Sequence, residues 1–334
     1  MLLAVVLPAS LAGCPVTASL PDDAPIRELT VHETDAPFYL YVPSQYTPAR
    51  RWPLVVLCHG TNPFDTAWLQ MKEWAQFAED HKIIIAAPKL IGVRGDFPPP
   101  AAEQHKHQAI DEQTILGVVA AVRAAYNVAE ERVFLTGWSA GGYAVLNTGL
   151  RHPEVFRALA VRQGNFEPEY LEGVEHRLDR WQPIFVFYGS MDPIGEQSRA
   201  SVEWLRDRDM FVKELARPGV HRRLPVSIAW DFFEDTFKNR PWIRLSAVVP
   251  DYRRPRRVRF AIRAAPAAVD ARWSLGDETE LSGLQPAHDY QADGTYDVTA
   301  RVRLKNGKWY RRNIAVRVPR TSMGLVGDPA LPDD

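Results

Sequence analysis

Cysteine is nearly absent. The 334-residue chain carries two, Cys14 and Cys58, so no disulfide framework holds the fold and a hydrophobic core must do so. Charge of one sign is also lacking: 40 Lys and Arg stand against 41 Asp and Glu, which removes the overall field that would steer the chain to nucleic acid or to a membrane surface. Internal repeats and long low-complexity tracts are missing, which excludes a solenoid or a propeller. Metal-ligand clusters are equally scarce. His105-Lys106-His107 has a ligand-like spacing, but no cysteine or second histidine pair supports it, so a solvated loop is expected over 91–108 and no metal. What remains is an ordinary globular composition, 46% hydrophobic, long enough for one large and one small domain.

The hydrophobic residues fall into short runs. Pro53 to Cys58, Ile83 to Ala87, Val133 to Leu135, Phe156 to Val161 and Ile184 to Gly189 are nearly continuous in apolar residues, as in strands buried on both faces of a mostly parallel sheet. Thr66–Asp80, Asp111–Tyr126, Ser198–Arg208 and Leu224–Phe237 have helix-compatible patterns between them. Arg27–His32 and Phe38–Val42 read as an edge hairpin. The alternation implies an α/β fold, a doubly wound and mostly parallel sheet. Beyond Pro241–Arg257 the period changes to two, over Arg259–Ile262, Ala271–Leu275, Thr295–Leu304 and Trp309–Val318, which implies a small all-β, Ig-like sandwich. This part is basic: from Asp251 to Arg320 there are 15 Lys or Arg and 8 Asp or Glu. A solvated face is the default reading of that surplus.

One stretch carries chemistry. Gly137-Trp138-Ser139-Ala140-Gly141 follows the strand Val133–Leu135 and precedes a helix-compatible segment, the context of a nucleophile elbow. Gly137 and Gly141 let the backbone turn sharply, so the Ser139 hydroxyl stands at the end of the sheet. A serine hydroxyl needs a histidine to take its proton and an acid to fix that imidazole. Asp192 emerges after the strand ending at Gly189, and His221 follows the next strand, Phe211–Ala216; the order is Ser, Asp, His. His152 reads as a helix terminus, and His176 precedes the acid. The donors expected for an oxyanion are the N–H of Ala140 and an N–H of the loop His59-Gly60-Thr61-Asn62, with Thr61 first and Gly60 permitting the approach. Cys58 reads as a small buried residue at a strand end.

These residues carry a resemblance. Residues 36–240 resemble the α/β-hydrolase superfamily. Within it, Tyr39-Leu40-Tyr41-Val42-Pro43, Leu57-Cys58-His59-Gly60 and Thr136 to Gly142 are similar to polyhydroxybutyrate depolymerases and feruloyl esterases. Thr61-Asn62 stands where a glycine-rich continuation is more usual. Trp273-Ser274-Leu275-Gly276-Asp277, His288-Asp289-Tyr290 and Gly294 to Val298 resemble a PKD domain, with Glu278 in place of the second glycine of Gly-Asp-Gly. Leu11-Ala12-Gly13-Cys14, after the apolar stretch Met1 to Pro8, resembles a bacterial lipoprotein signal whose cysteine is lipidated, although no Lys or Arg precedes it.

The resemblances imply a serine esterase held outside the cytoplasm by a lipid on Cys14, with an ester substrate that can be polymer-linked, no nucleic-acid partner and no cofactor. They divide the chain into a signal peptide (1–13), a tether (14–25), a hydrolase domain (26–245), a linker (246–256), a PKD-like sandwich (257–320) and a tail (321–334). Two other readings stand beside this one, a peptidase of the prolyl-oligopeptidase type and a non-catalytic surface binding protein on a hydrolase scaffold.

Overall fold

The computed structural model of the protein describes residues 26–95 and 98–319. The expected signal segment, Cys14, the tether and the tail lie outside the described residues. Eight strands form the main sheet: β1 (Ile26–Thr30), β2 (Pro37–Tyr41), β3 (Trp52–Cys58), β4 (Ile84–Pro88), β5 (Val128–Trp138), β6 (Ala158–Arg162), β7 (Ile184–Gly189) and β8 (Val212–Arg217). Their order is β1-β2-β4-β3-β5-β6-β7-β8. The β1–β2 hairpin is antiparallel and borders β4 antiparallel, whereas β4, β3, β5, β6, β7 and β8 run parallel. Helices α1 (Ala67–His81), α2 (Ala101–Ala125), α3 (Gly141–Arg151), α4 (Gly195–Arg206) and α5 (Ser227–Asn239) connect the parallel strands or close the unit.

The apolar runs are continuous because each strand serves two cores. Leu54, Val56, Val133, Leu135, Ile184 and Val186 pack with residues of α2, α3 and α4. Their odd-numbered or even-numbered neighbours Val55, Leu57, Phe134, Phe185 and Phe187 point the other way, against Met71 and Trp74 of α1 and Trp230 and Phe233 of α5. Side chains alternate along a strand, so a sheet covered on both faces shows no polar face in the sequence.

Helix α2 corrects an expectation. It starts at Ala101, so His105 and His107 lie on the first turns of a 25-residue helix and not in a loop. Pro100 occupies the N-cap position; a proline at a helix start loses no intrahelical bond, so the proline run ends the loop. Among the described residues, no three His, Cys, Asp or Glu side chains converge as a metal site would require.

The second unit also begins earlier than expected. Strand β9 (Trp242–Val248) follows α5 almost directly and pairs with β10 (Arg257–Ala265), which pairs with β13 (Ala287–Asp289). The opposing sheet is β12-β11-β14-β15, from β11 (Ala268–Ser274), β12 (Glu280–Ser282), β14 (Gly294–Leu304) and β15 (Trp309–Val318). Ile243, Leu245 and Ala247 enter this sandwich's core with Phe260, Trp273 and Val302. Residues 242–248 thus belong to the sandwich, not to the hydrolase domain or a linker. Trp242 and Arg244, on the other face of β9, are buried as well, and Arg244 Nη1 reaches Asp179 at 2.7 Å.

Candidate active site

Strand β5 ends at Trp138 and α3 begins at Gly141, leaving Ser139 in the bend between them. Ser139 adopts φ 54°, a left-handed conformation that costs a non-glycine residue roughly 1–2 kcal/mol. Three backbone bonds hold it there: Ser139 N–H donates to Arg162 O at 3.0 Å, and Ser139 O accepts from Gly142 N at 2.9 Å and Asn165 N at 3.0 Å. The flanking glycines are demanded by contact. A Cβ on Gly137 would lie 2.6 Å from Gly141 O, and one on Gly141 would lie 2.5 Å from Cys58 O.

Asp192 and His221 come from the loops after β7 and β8. Asp192 has a fully buried carboxylate; Oδ1 accepts from Ile194 N at 2.9 Å and Oδ2 lies 2.7 Å from His221 Nδ1. His221 Nε2 lies 3.1 Å from Ser139 Oγ. A carboxylate accepts, so Nδ1 carries the proton and Nε2 is left to accept from the hydroxyl. Glycine again lets the loops close: a Cβ on Gly189 would collide with Gly219 O, and Met191 N–H donates to that carbonyl at 2.9 Å. The structure thus brings Ser139, His221 and Asp192 into one hydrogen-bonded row at the carboxyl edge of the sheet.

The loop after β3 lies alongside. A Cβ on Gly60 would stand 3.1 Å from both Ser139 Cβ and Trp138 O, so any larger residue would push the elbow by a few tenths of an ångström. Gly60 N–H is committed to Asp65 Oδ2 at 2.7 Å. Among the described residues, neither Thr61 N–H nor Ala140 N–H donates to a protein acceptor, and the Thr61 hydroxyl anchors Gly95 N at 2.9 Å. His59 is buried and shapes the loop: Nε2 accepts from Leu90 N at 2.9 Å, which leaves Nδ1 to donate to Gly60 O at 2.7 Å. Burial pushes its pKa down, so it is neutral near pH 7. Cys58 ends β3 and is buried, and the same desolvation raises its thiol pKa well above the ordinary value.

Residues 30–260 match the family model "Esterase", described as "Putative esterase". The chain belongs to this Esterase family. Residues 256–318 match the PKD domain model, in agreement with the antiparallel sandwich. Feruloyl esterase B of Neurospora crassa is 27% identical over 164 residues, 47% of this chain and 55% of that protein. The chain therefore spans about half the length of the curated relative it matches. Among solved structures, a CE1 ferulic acid esterase from Anaeromyces mucronatus superposes with a TM-score of 0.51 at 14% identity, covering 66% of this chain and 96% of that one. An S-formylglutathione hydrolase from Staphylococcus aureus gives 0.48 at 12% identity, over 64% and 96%.

Around the Esterase-family elbow are side chains that the sequence did not nominate. The Trp138 ring stacks on His221 with centroids 4.8 Å apart, and the Arg223 guanidinium lies 5.0 Å from the Trp138 ring centroid. Arg223 also pairs with the buried Asp65 and, at 3.0 Å, with Glu73. Since Asp65 holds Gly60 N–H, one ion pair links the loop beside Ser139 to the loop of His221. A chain of contacts between residues 65, 73, 138 and 223 leaves no local sequence signature. Phe64, Met191 and Val220 are exposed at 74%, 65% and 55%, each on a loop that carries one part of the site.

Proposed function

We propose that this Esterase-family chain is a serine ester hydrolase that acts through an acyl-enzyme. Ser139 Oγ attacks the ester carbonyl while His221 Nε2 takes its proton; Asp192 holds the imidazole tautomer and stabilises the imidazolium that forms. The imidazolium returns the proton to the departing alcohol. Water then attacks the acyl carbon while giving a proton to His221; the acyl–Oγ bond breaks, the acid leaves, and the imidazolium returns the proton to Ser139 Oγ. The N–H groups of Ala140 and Thr61 receive the oxyanion in both halves; such a donor contributes about 10²–10³ in rate. The observation that carries this reading is the unbroken row of hydrogen bonds from Asp192 through His221 to a serine held at positive φ.

The exposed apolar side chains of Phe64, Met191 and Val220 favour an ester with an apolar or aromatic acyl group, and the likeness to feruloyl esterase B points in the same direction. Residues 11–14 support lipid attachment at Cys14 and hence a place outside the cytoplasm; incorporation of labelled palmitate in cells, lost in Cys14→Ala, tests that part separately.

A fluorophosphonate probe tests the chemistry. Wild type is labelled and Ser139→Ala is not, and a panel of aryl, feruloyl, acetyl and hydroxybutyrate esters then ranks the acyl groups. No labelling of folded wild type would reject the acyl-enzyme and favour the binding-protein reading.

A further inference from the structure

Far from Ser139 the chain buries positive charge with too few partners. Arg157 precedes β6, at the opposite end of that strand from Arg162, whose carbonyl holds Ser139. Five residues of strand separate the two ends, about 16 Å at 3.3 Å per residue. Here the hydrolase unit meets the sandwich across a cleft of about 230 Å³ lined by Arg157, Arg240, Arg244, Arg312, Trp181 and Tyr310, among others, with no Asp or Glu among the described residues of its wall.

Arg157, Arg244 and Arg312 are only 3%, 9% and 8% exposed. Arg157 Nη2 donates to the carbonyls of Thr236, at 3.1 Å, and Arg240, but Arg157 Nε and Nη1 have no partner among the described residues, nor do Arg244 Nε and Arg312 Nε. Asp179 is paired with Arg244 at 2.7 Å. Glu131 and Glu154, which also act on these arginines, are engaged by Arg51 and His152. Burial, and then repulsion from Arg244, pushes the Arg157 guanidinium down to about 9. Burying cations side by side with one paired carboxylate between them is costly, whereas guanidinium forks match the geometry of carboxylate and phosphate oxygens.

We propose that this interdomain cleft is a binding site for an oxyanion, a carboxylate, phosphate or sulfate group held between Arg157 and Arg240 of the hydrolase unit and Arg244 and Arg312 of the sandwich. Because both units supply cations, the bound anion ties them together, and it does so without touching the residues around Ser139. A carboxylate carried on a sugar ring also meets Trp181, which is 44% exposed, and Tyr310.

The test titrates the full chain with sodium sulfate, phosphate, glucuronate and, as controls, glucose and sodium chloride at matched ionic strength, following the thermal midpoint and the heat of binding. A saturable rise of several degrees with at least one oxyanion, absent with glucose and chloride, is expected. Arg312→Gln weakens that binding about tenfold or more while hydrolysis of a short soluble ester is unchanged. Glucuronate binding more tightly than phosphate assigns the site to a sugar acid, and the reverse order assigns it to a free inorganic anion. An oxyanion response no larger than that of chloride overturns the proposal, as does a response undiminished in both Arg312→Gln and Arg157→Gln. The wild-type titration decides even if Arg157→Gln does not fold.

Discussion

Asp65 shows how much of the site depends on a residue that touches no reacting atom. Its carboxylate is buried and fully used, by Gly60 N, by Gln70 Nε2 at 2.8 Å and by Arg223. Asp65→Asn keeps the shape but loses the charge that holds Arg223, so both the Gly60–Thr61 loop and the Trp138–His221 stack are released by a fraction of an ångström. Donors aimed at an oxyanion act mainly in the transition state. The expected result is therefore a fall in kcat of about 10–100-fold with little change in KM. A variant that melts earlier but keeps wild-type kcat would show that the ion pair is merely structural. The residues in the row Ser139, His221 and Asp192 were legible because Ser139 and Asp192 each follow a buried strand, His221 follows the next strand β8, and their order is diagnostic. Asp65 and Arg223 were not, since a partnership across 158 positions depends on two loops meeting in space.

At the scale of elements, buried runs announced β3, β4, β6 and β7 because a strand covered on both faces has nothing polar to interrupt it. The same condition hid β9, where the second buried face is Trp242 and Arg244 and the apolar alternation is masked by an arginine. Helix α2 was legible only in its second half, since its first turns are polar and follow a proline run. That helix is clasped to α3 by a buried histidine. His152 caps α3, with Nε2 2.8 Å from Glu112 of α2 and Nδ1 3.1 Å from Glu154. Desolvation alone would lower its pKa, but hydrogen bonds to the two carboxylates outweigh it and raise it from 6.5 to about 9. The folded pKa exceeds the unfolded one, so this stabilisation is fully present below pH 6.5 and is lost as pH rises through 9. Its upper size is about 3 kcal/mol. Denaturant unfolding of wild type is expected to weaken across that window, and His152→Gln to be less stable at pH 6 with a flatter profile. Parallel profiles would remove His152 as the cause.

Across the whole molecule, the two units are joined by pairs of very different burial. Arg244 and Asp179 are 10% and 18% exposed at their side chains, whereas Arg263 and Glu130, also joined across the junction at 3.0 Å, are 47% and 48% exposed. An exposed pair contributes at most about 1 kcal/mol and is screened by salt. Removing one partner of a buried pair strands the other charge, at a cost of about 3–5 kcal/mol where burial is complete. Asp179→Asn strands Arg244 beside Arg312, whose guanidinium burial pushes down to about 10 despite Asp179. Thermal unfolding is therefore expected to lose about 2–3 kcal/mol in Asp179→Asn, discounted from that range for partial exposure, and less than about 1 kcal/mol in Arg263→Ala. Ester hydrolysis well below the midpoint is expected to be unchanged in both, because the junction lies at the opposite edge of the sheet from Ser139. Equal losses in the two variants would mean that the junction is held by its surface charges, and that the cations gathered around Arg244 are already neutralised by something other than Asp179.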